Sequence, residues 1–246
     1  MNERAAQEEK NSEDGGDEVS QVVRGKRPEE QIIYERLVDA IIDKTLRPGQ
    51  HLNEVKLAAS YSVPRSRVRR VLERLRDEAV VEFRLNHGAF ISRPTVREAR
   101  DVFEARRYLE TVIVRLACAK ATPERIAALR DHLGVQQQVF DQLRPDMNRV
   151  AADFHLMVAD IAGNEVLSRM LSLLMRRVCL IQSLYERRNG VLCLVHEHEH
   201  LVDLLAANDV EGAVDATLHH CDHIEQSLDL TDRRRSEVDI YELPPG

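Results

Sequence analysis

Apolar residues recur along the first third of this chain at helical spacing, in three short blocks. Ile33, Leu37, Ile41 and Ile42 form the first; Leu57 and Ala58 lie in a second, roughly Glu54 to Ser60; Val68, Val71, Leu72 and Leu75 form the third. Steps of three and four predict three helices, each burying one face. Leu46-Arg47-Pro48-Gly49 breaks the first block from the second. Pro64 suits the first helical position of the third, where its missing N–H costs nothing. The rhythm then changes. Val80-Val81-Glu82-Phe83-Arg84 and Ala89-Phe90-Ile91-Ser92 flank Asn86-His87-Gly88, which predicts a hairpin closed by a glycine turn.

After Arg93-Pro94 the helical period returns and stays. Thr95-Val96-Arg97-Glu98 has the spacing of a capping box and starts a long helix to about Lys120. Thr122-Pro123 opens the next, Asp146 is placed to cap a helix to about Ala162, and Asn164 caps one ending near Arg188. Asn189-Gly190 makes a turn, and helices at about 191–207 and 210–228 follow, split by Asn208-Asp209. The pattern predicts a mostly α protein. An N-terminal winged helix-turn-helix with a small β-hairpin wing spans 28–94, and an all-α bundle of about six helices spans 95–228. Residues 1–27 read as a disordered acidic tail around Glu8-Glu9 and Asp17-Glu18, and 229–246 as a flexible tail.

Composition narrows the class. Apolar residues make up 43% and charged residues 31%, with only 10 glycines, as in a soluble, largely helical protein. No apolar run approaches the ~20 residues that span a bilayer, so no membrane role is expected. The four cysteines (Cys118, Cys179, Cys193, Cys221) form no CxxC pair and read as reduced core residues of a cytoplasmic protein. The net charge of −7 is unevenly spread: residues 28–94 carry 12 Lys/Arg against 10 Asp/Glu, a local balance of +2. Six of those cations, Arg65, Arg67, Arg69, Arg70, Arg74 and Arg76, lie on the third predicted helix. In a winged helix-turn-helix that helix enters the major groove of DNA, so local charge matters more than the sum.

Specific motifs support this reading. Leu46-Arg47-Pro48-Gly49-Gln50-His51-Leu52-Asn53-Glu54-Val55-Lys56-Leu57-Ala58 and Val63-Pro64-Arg65-Ser66-Arg67-Val68-Arg69-Arg70-Val71-Leu72 resemble the opening and recognition-helix motifs of GntR-family transcriptional regulators. Asn86-His87-Gly88-Ala89-Phe90-Ile91 is similar to the family's wing. Arg106-Arg107-Tyr108-Leu109-Glu110, Phe154-His155 with Ala162-Gly163-Asn164, and Glu197-His198 with Asp209 and His220 resemble the FadR-like subfamily with its helical FCD domain. The resemblance spans about residues 30 to 228. It implies a homodimeric repressor on a palindromic double-stranded DNA operator, controlled by a small organic or sugar acid, with residues 95–228 binding the effector and forming the dimer. The DNA-binding residues it implies are Lys56, Arg65, Ser66, Arg67, Arg69, Arg70, His87 and Gly88. Pro64, Arg67 and Arg70 depart from the usual serine, proline and glutamate, adding two cations that would raise salt-sensitive binding.

Three histidines lie on apolar stripes of three predicted helices: His155 among Ala151, Ala152, Val158 and Ala159, His198 among Leu194, Val195, Leu201 and Val202, and His220 near Ala216, Thr217 and Ile224. Inward imidazoles from separate helices suit zinc, nickel or copper. The resemblance assigns His155, His198 and His220 to metal and effector binding, and Arg106 to the carboxylate of an acidic effector. Metal-binding relatives carry an aspartate one turn before the first histidine, where this chain has Ala151; a divalent metal (zinc or nickel) and a metal-free histidine pocket both remain open. Asp153 is about 200° around the helix from His155. His196, Glu197, Glu199 and His200 are expected on the surface. Two other readings are a regulator with metal as its effector, and a metal-dependent enzyme with Glu197 or Glu199 as base. No nucleophile elbow, phosphate loop or HExxH supports an enzyme.

Overall fold

A computed structural model describes residues 29–186 and 195–231. Its N-terminal part packs α1 (Glu29–Ile42), α2 (Glu54–Ser60) and α3 (Arg65–Asp77) around Ile33, Ile41, Val68, Leu72 and Leu75, all essentially inaccessible. Asn53 starts α2 by accepting a hydrogen bond from the Lys56 N–H. Pro64 sits one residue earlier than the sequence suggests. Its ψ of 144° makes it the extended N-cap of α3 rather than the first helical residue, in keeping with its inability to donate to the preceding turn.

The wing consists of β2 (Val81–Arg84) and β3 (Gly88–Ile91), antiparallel, with Arg84 opposite Gly88. Asn86 and Gly88 turn the chain at φ values of 61° and 88°. A strand that the periodicity does not reveal, β1 (His51–Leu52), pairs with β3 and gives the sheet order β1-β3-β2. Two residues are too few for an alternation to show; the partner strand defines this one.

Six helices follow: α4 (Val96–Lys120), α5 (Pro123–Asp141), α6 (Met147–Ala162), α7 (Glu165–Tyr185), α8 (Val195–Ala206) and α9 (Val210–Gln226). Thr95 and Glu98 form both bonds of the capping box. Asp146 stands at the N-cap of α6 but makes no capping bond, because its carboxylate is drawn to Arg144 instead. Helix α7 ends at Tyr185, short of Arg188, with Glu186 in extended conformation. The Asn189-Gly190 turn, Cys193 and Leu194, both expected tails except residues 229–231, and Pro28 fall outside the described residues. Cys118, Cys179 and Cys221 are buried and unpaired as disulfides.

Helix α7 belongs to both halves. Leu180 is buried in the core of the N-terminal part, while Leu171, Met175 and Cys179 are buried with α4 and α6. Its Arg176 reaches Glu78, at the end of α3, at 2.5 Å and also bonds the Tyr34 hydroxyl of α1. Arg74 of α3 stacks on the Tyr34 ring at 3.5 Å. At the other end of α7, Glu186 pairs with Lys44 at 2.5 Å.

Candidate DNA-reading face and buried ligand site

The arginines of α3 divide into two groups. At about 100° per residue, Arg65, Arg69 and Arg76 fall on one face and Arg67, Arg70 and Arg74 on another. The second group pairs across to α1 and Glu78, Arg67 with Glu29, Arg70 with Glu30, and Arg74 with Gln31 and Glu78, while Arg69 and Arg76 of the first pair along their own chain with Glu73 and Asp77. The first group faces outward beside the wing, with Arg69 and Arg76 both about 6 Å from the Phe83 ring centroid. Glu54 lies 3.5 Å from Arg65 and 3.9 Å from Arg69, near enough to orient them. Ser66, Lys56, His87 and Gly88 are exposed. Leu85, at the wing tip, is 87% exposed. Arg76, counted among the arginines of this helix but not among the implied DNA-binding residues, lies on the same face by its seven-residue spacing from Arg69.

The buried site is built on α4, α5, α6, α8 and α9. Arg106 and Glu110, one turn apart on α4, are 2% and 3% exposed and meet at 2.5 Å. The other Glu110 oxygen accepts from Nδ1 of His155 at 2.7 Å. Arg106 Nη2 donates across 3.0 Å to Nε2 of the same imidazole. A guanidinium only donates and a carboxylate only accepts, so this arrangement fixes the proton of His155 on Nδ1. Burial alone would raise the Glu110 pKa, but the Arg106 and His155 contacts outweigh it and hold the carboxyl well below its usual range.

Gln136 and Glu197 treat the other two histidines similarly. Nδ1 of His198 lies 3.0 Å from the Gln136 side-chain oxygen, and Nδ1 of His220 lies 2.7 Å from Glu197. The His198 and His220 Nε2 atoms, left as acceptors, face each other at 3.4 Å. One ligand atom from each of His155, His198 and His220 lies within 4.8 Å of the others. All three pKa values are lowered, chiefly by burial, His220 to about 4 and His198 well below the ordinary value. The Nε2 lone pairs of His198 and His220, with Nδ1–H groups held by acceptors, are what a divalent ion requires of histidine ligands, whereas that of His155 already accepts from Arg106. With Arg106 turned away from His155, the donor set fits zinc or nickel.

Ala151 lines the same cavity as His155 and His220, where it contributes no fourth ligand, and Asp153 is exposed away from it. The cavity has about 20 Å³ of free volume, room for one water-sized species but not for an organic acid. Its wall includes Met175, Val178, Cys179 and Gln182 of α7.

Glu197 corrects an expectation. It is not a surface residue: its side chain is mostly covered and bridges His220 and, at 2.6 Å, His223. His196, Glu199 and His200 are exposed. Gln136, fully buried, also went unnoticed in the sequence; the available signal was an amide on the apolar stripe of Ile126, Leu129, Leu133 and Val139.

A winged helix-turn-helix joined to a helical bundle is the architecture of a DNA-binding regulator. Comparison with known proteins makes this specific. The family described as "Bacterial regulatory proteins, gntR family" matches residues 29–91, and the FCD domain matches residues 101–223. The chain belongs to the GntR family and has the FadR-like arrangement with an FCD domain. The Nta operon transcriptional regulator of Aminobacter aminovorans is 31% identical over 198 residues, covering 79% of this chain and 91% of that relative. The HTH-type transcriptional repressor NanR of Salmonella bongori is 27% identical, covering 70% of each. The solved structure of E. coli McbR/YncC shares the fold, with a TM-score of 0.71 at 19% identity over 80% of this chain and 95% of that one. Among the described residues no helix is long and apolar enough to cross a membrane.

Proposed function

We propose that this regulator is a cytoplasmic homodimeric repressor whose hold on a palindromic operator is set by a small organic or sugar acid bound between Arg106 and the histidine cluster. Residues 28–94 read DNA, through Arg65, Arg69, Ser66 and the wing residues His87 and Gly88, with Lys56 and Arg76 adding charge. Residues 95–228 bind the acid and form the dimer. The observation that carries the reading is the buried guanidinium of Arg106 beside three neutral imidazoles, in a cavity walled partly by α7. A carboxylate entering there gains charge-assisted bonds from Arg106. The repressor role is supported by the printed name of NanR, a relative.

His155, His198 and His220 are the residues that would hold zinc or nickel. A divalent cation bound there supplies a positive coordination position for a carboxylate oxygen. With Ala151 giving no oxygen, the fourth ligand is water or the effector itself. Glu110, Gln136 and Glu197 keep the imidazoles in the required tautomer.

Coupling to DNA follows from α7. Widening the cavity displaces the helix whose Arg176 grips Glu78 and Tyr34, next to Arg74 of the recognition helix. A shift there changes the relative setting of the two recognition helices in the dimer, which must match half-sites about one DNA turn apart. A second reading, metal itself as effector, is favoured by the small free volume of the cavity. Thermal unfolding of the full chain against a panel of hydroxy acids, dicarboxylates and sugar acids, each with and without zinc, separates the two. At least one acid should raise Tm, because a ligand of the native state stabilises it by mass action. Stabilisation by zinc alone, with none added by any acid, would favour the metal-sensor reading instead.

A further inference from the structure

Beside the buried cluster lies a second one that the regulatory reading does not use. His219 and His223 stand one turn apart on α9, and both face Glu197 of α8: His223 Nδ1 is 2.6 Å and His219 Nε2 3.8 Å from the same carboxylate oxygen. One ligand atom from each of the three lies within 4.8 Å of the others. His219 has 75% of its side chain exposed, and His223 has 31%. We propose that Glu197, His219 and His223 form a solvent-open site for a borderline divalent cation, zinc, nickel or cobalt, separate from the buried histidines.

Helix geometry and donor chemistry both support such a site. Two histidines at i and i+4 on one helix present their rings to a single ion, the geometry used wherever a helix supplies two zinc ligands. Two imidazoles and a carboxylate oxygen form a mixed nitrogen and oxygen set that such cations take readily. Binding at Nδ1 of His223 moves its proton to Nε2, the other neutral tautomer, and leaves water in the remaining coordination positions.

The site touches the buried one through a single side chain. The second Glu197 oxygen accepts from His220 Nδ1, so a cation on the first oxygen withdraws electron density from the acceptor that orients His220. Occupancy of the outer site is thereby sensed at the inner one without any ion entering the bundle. The exposed pair His196 and His200 is also spaced one turn apart, but no carboxylate converges with it in the same way among the described residues.

Equilibrium dialysis of the full chain against zinc, with bound metal counted per chain, tests this. Removing the site with His219→Ala/His223→Ala should lose one bound equivalent relative to the unmodified chain, with circular dichroism unchanged because His219 is exposed. His196→Ala/His200→Ala should lose none. His198→Asn addresses the buried cluster separately, so if that cluster takes no metal the outer equivalent is still counted and still lost only with His219 and His223. An undiminished count in His219→Ala/His223→Ala, or a loss confined to His196→Ala/His200→Ala, overturns the proposal.

Discussion

Arg65→Ala/Arg69→Ala should lower affinity for operator DNA by about thirtyfold at the least. An arginine bidentate to guanine contributes ~1–3 kcal/mol of discrimination, and two such losses of ~1 kcal/mol already correspond to about thirtyfold in Kd. Both side chains are more than half exposed on the face of α3 that adjoins the wing. Removing them should also flatten the dependence of log affinity on log salt, by about one unit per phosphate-contacting cation lost. The control is Arg67→Ala/Arg70→Ala. Those cations lie on the other face of α3, turned toward Glu29 and Glu30 of α1, so operator affinity should change by less than about threefold, ~0.6 kcal/mol. Fluorescence anisotropy over a salt series measures both variants. Equal losses in the two would mean that the partition of the helix into an outward and an α1-facing group is not what DNA encounters.

The second large effect concerns Glu110. Glu110→Ala removes the carboxylate that neutralises Arg106 and orients His155 in a setting closed to solvent. Breaking a buried ion pair from one side typically costs about 3–5 kcal/mol, because the other charge stays buried. Urea unfolding should show that loss as a lower midpoint with a similar slope. Glu110→Gln keeps an acceptor for His155 Nδ1–H but not the charge, and should fall between the alanine variant and the unmodified chain. A change under about 0.5 kcal/mol for Glu110→Ala, the size of an ordinary surface substitution, would show that another group neutralises Arg106.

Much of this was legible in the sequence, because it depends on local spacing. The capping box of Thr95 and Glu98 needs only a three-residue interval, and it forms as read. The inward set of Val68, Val71, Leu72 and Leu75 follows from helical period alone and is buried throughout. The two arginine faces of α3 were equally available to the same geometry, since Arg65, Arg69 and Arg76 are separated by four and seven residues. What the sequence hid depends on distant partners. Strand β1 exists because β3 lies alongside it. Glu197 looks like one acid in an exposed His-Glu-His-Glu-His string until α9 brings His220 and His223 against it. The pairing of Glu110 with both Arg106 and His155 requires α4 and α6 to cross at one place, and the volume left between them is a sum of side-chain sizes from several helices. Arg176, which ties α7 to Glu78, carries no sequence signal beyond being one arginine among many.

An acid bound at Arg106 is proposed to loosen the operator through α7. The most direct measurement is the Kd of the full chain for DNA from its own promoter region, with and without a saturating concentration of whichever acid raises Tm. The account predicts that the acid weakens binding within the range of about 5–150-fold usual for coupled sites. In Arg176→Ala, the same acid should still raise Tm but should shift the Kd much less. Operator affinity that is unchanged at saturating acid in the unmodified chain would contradict the claim, and so would an undiminished shift in Arg176→Ala.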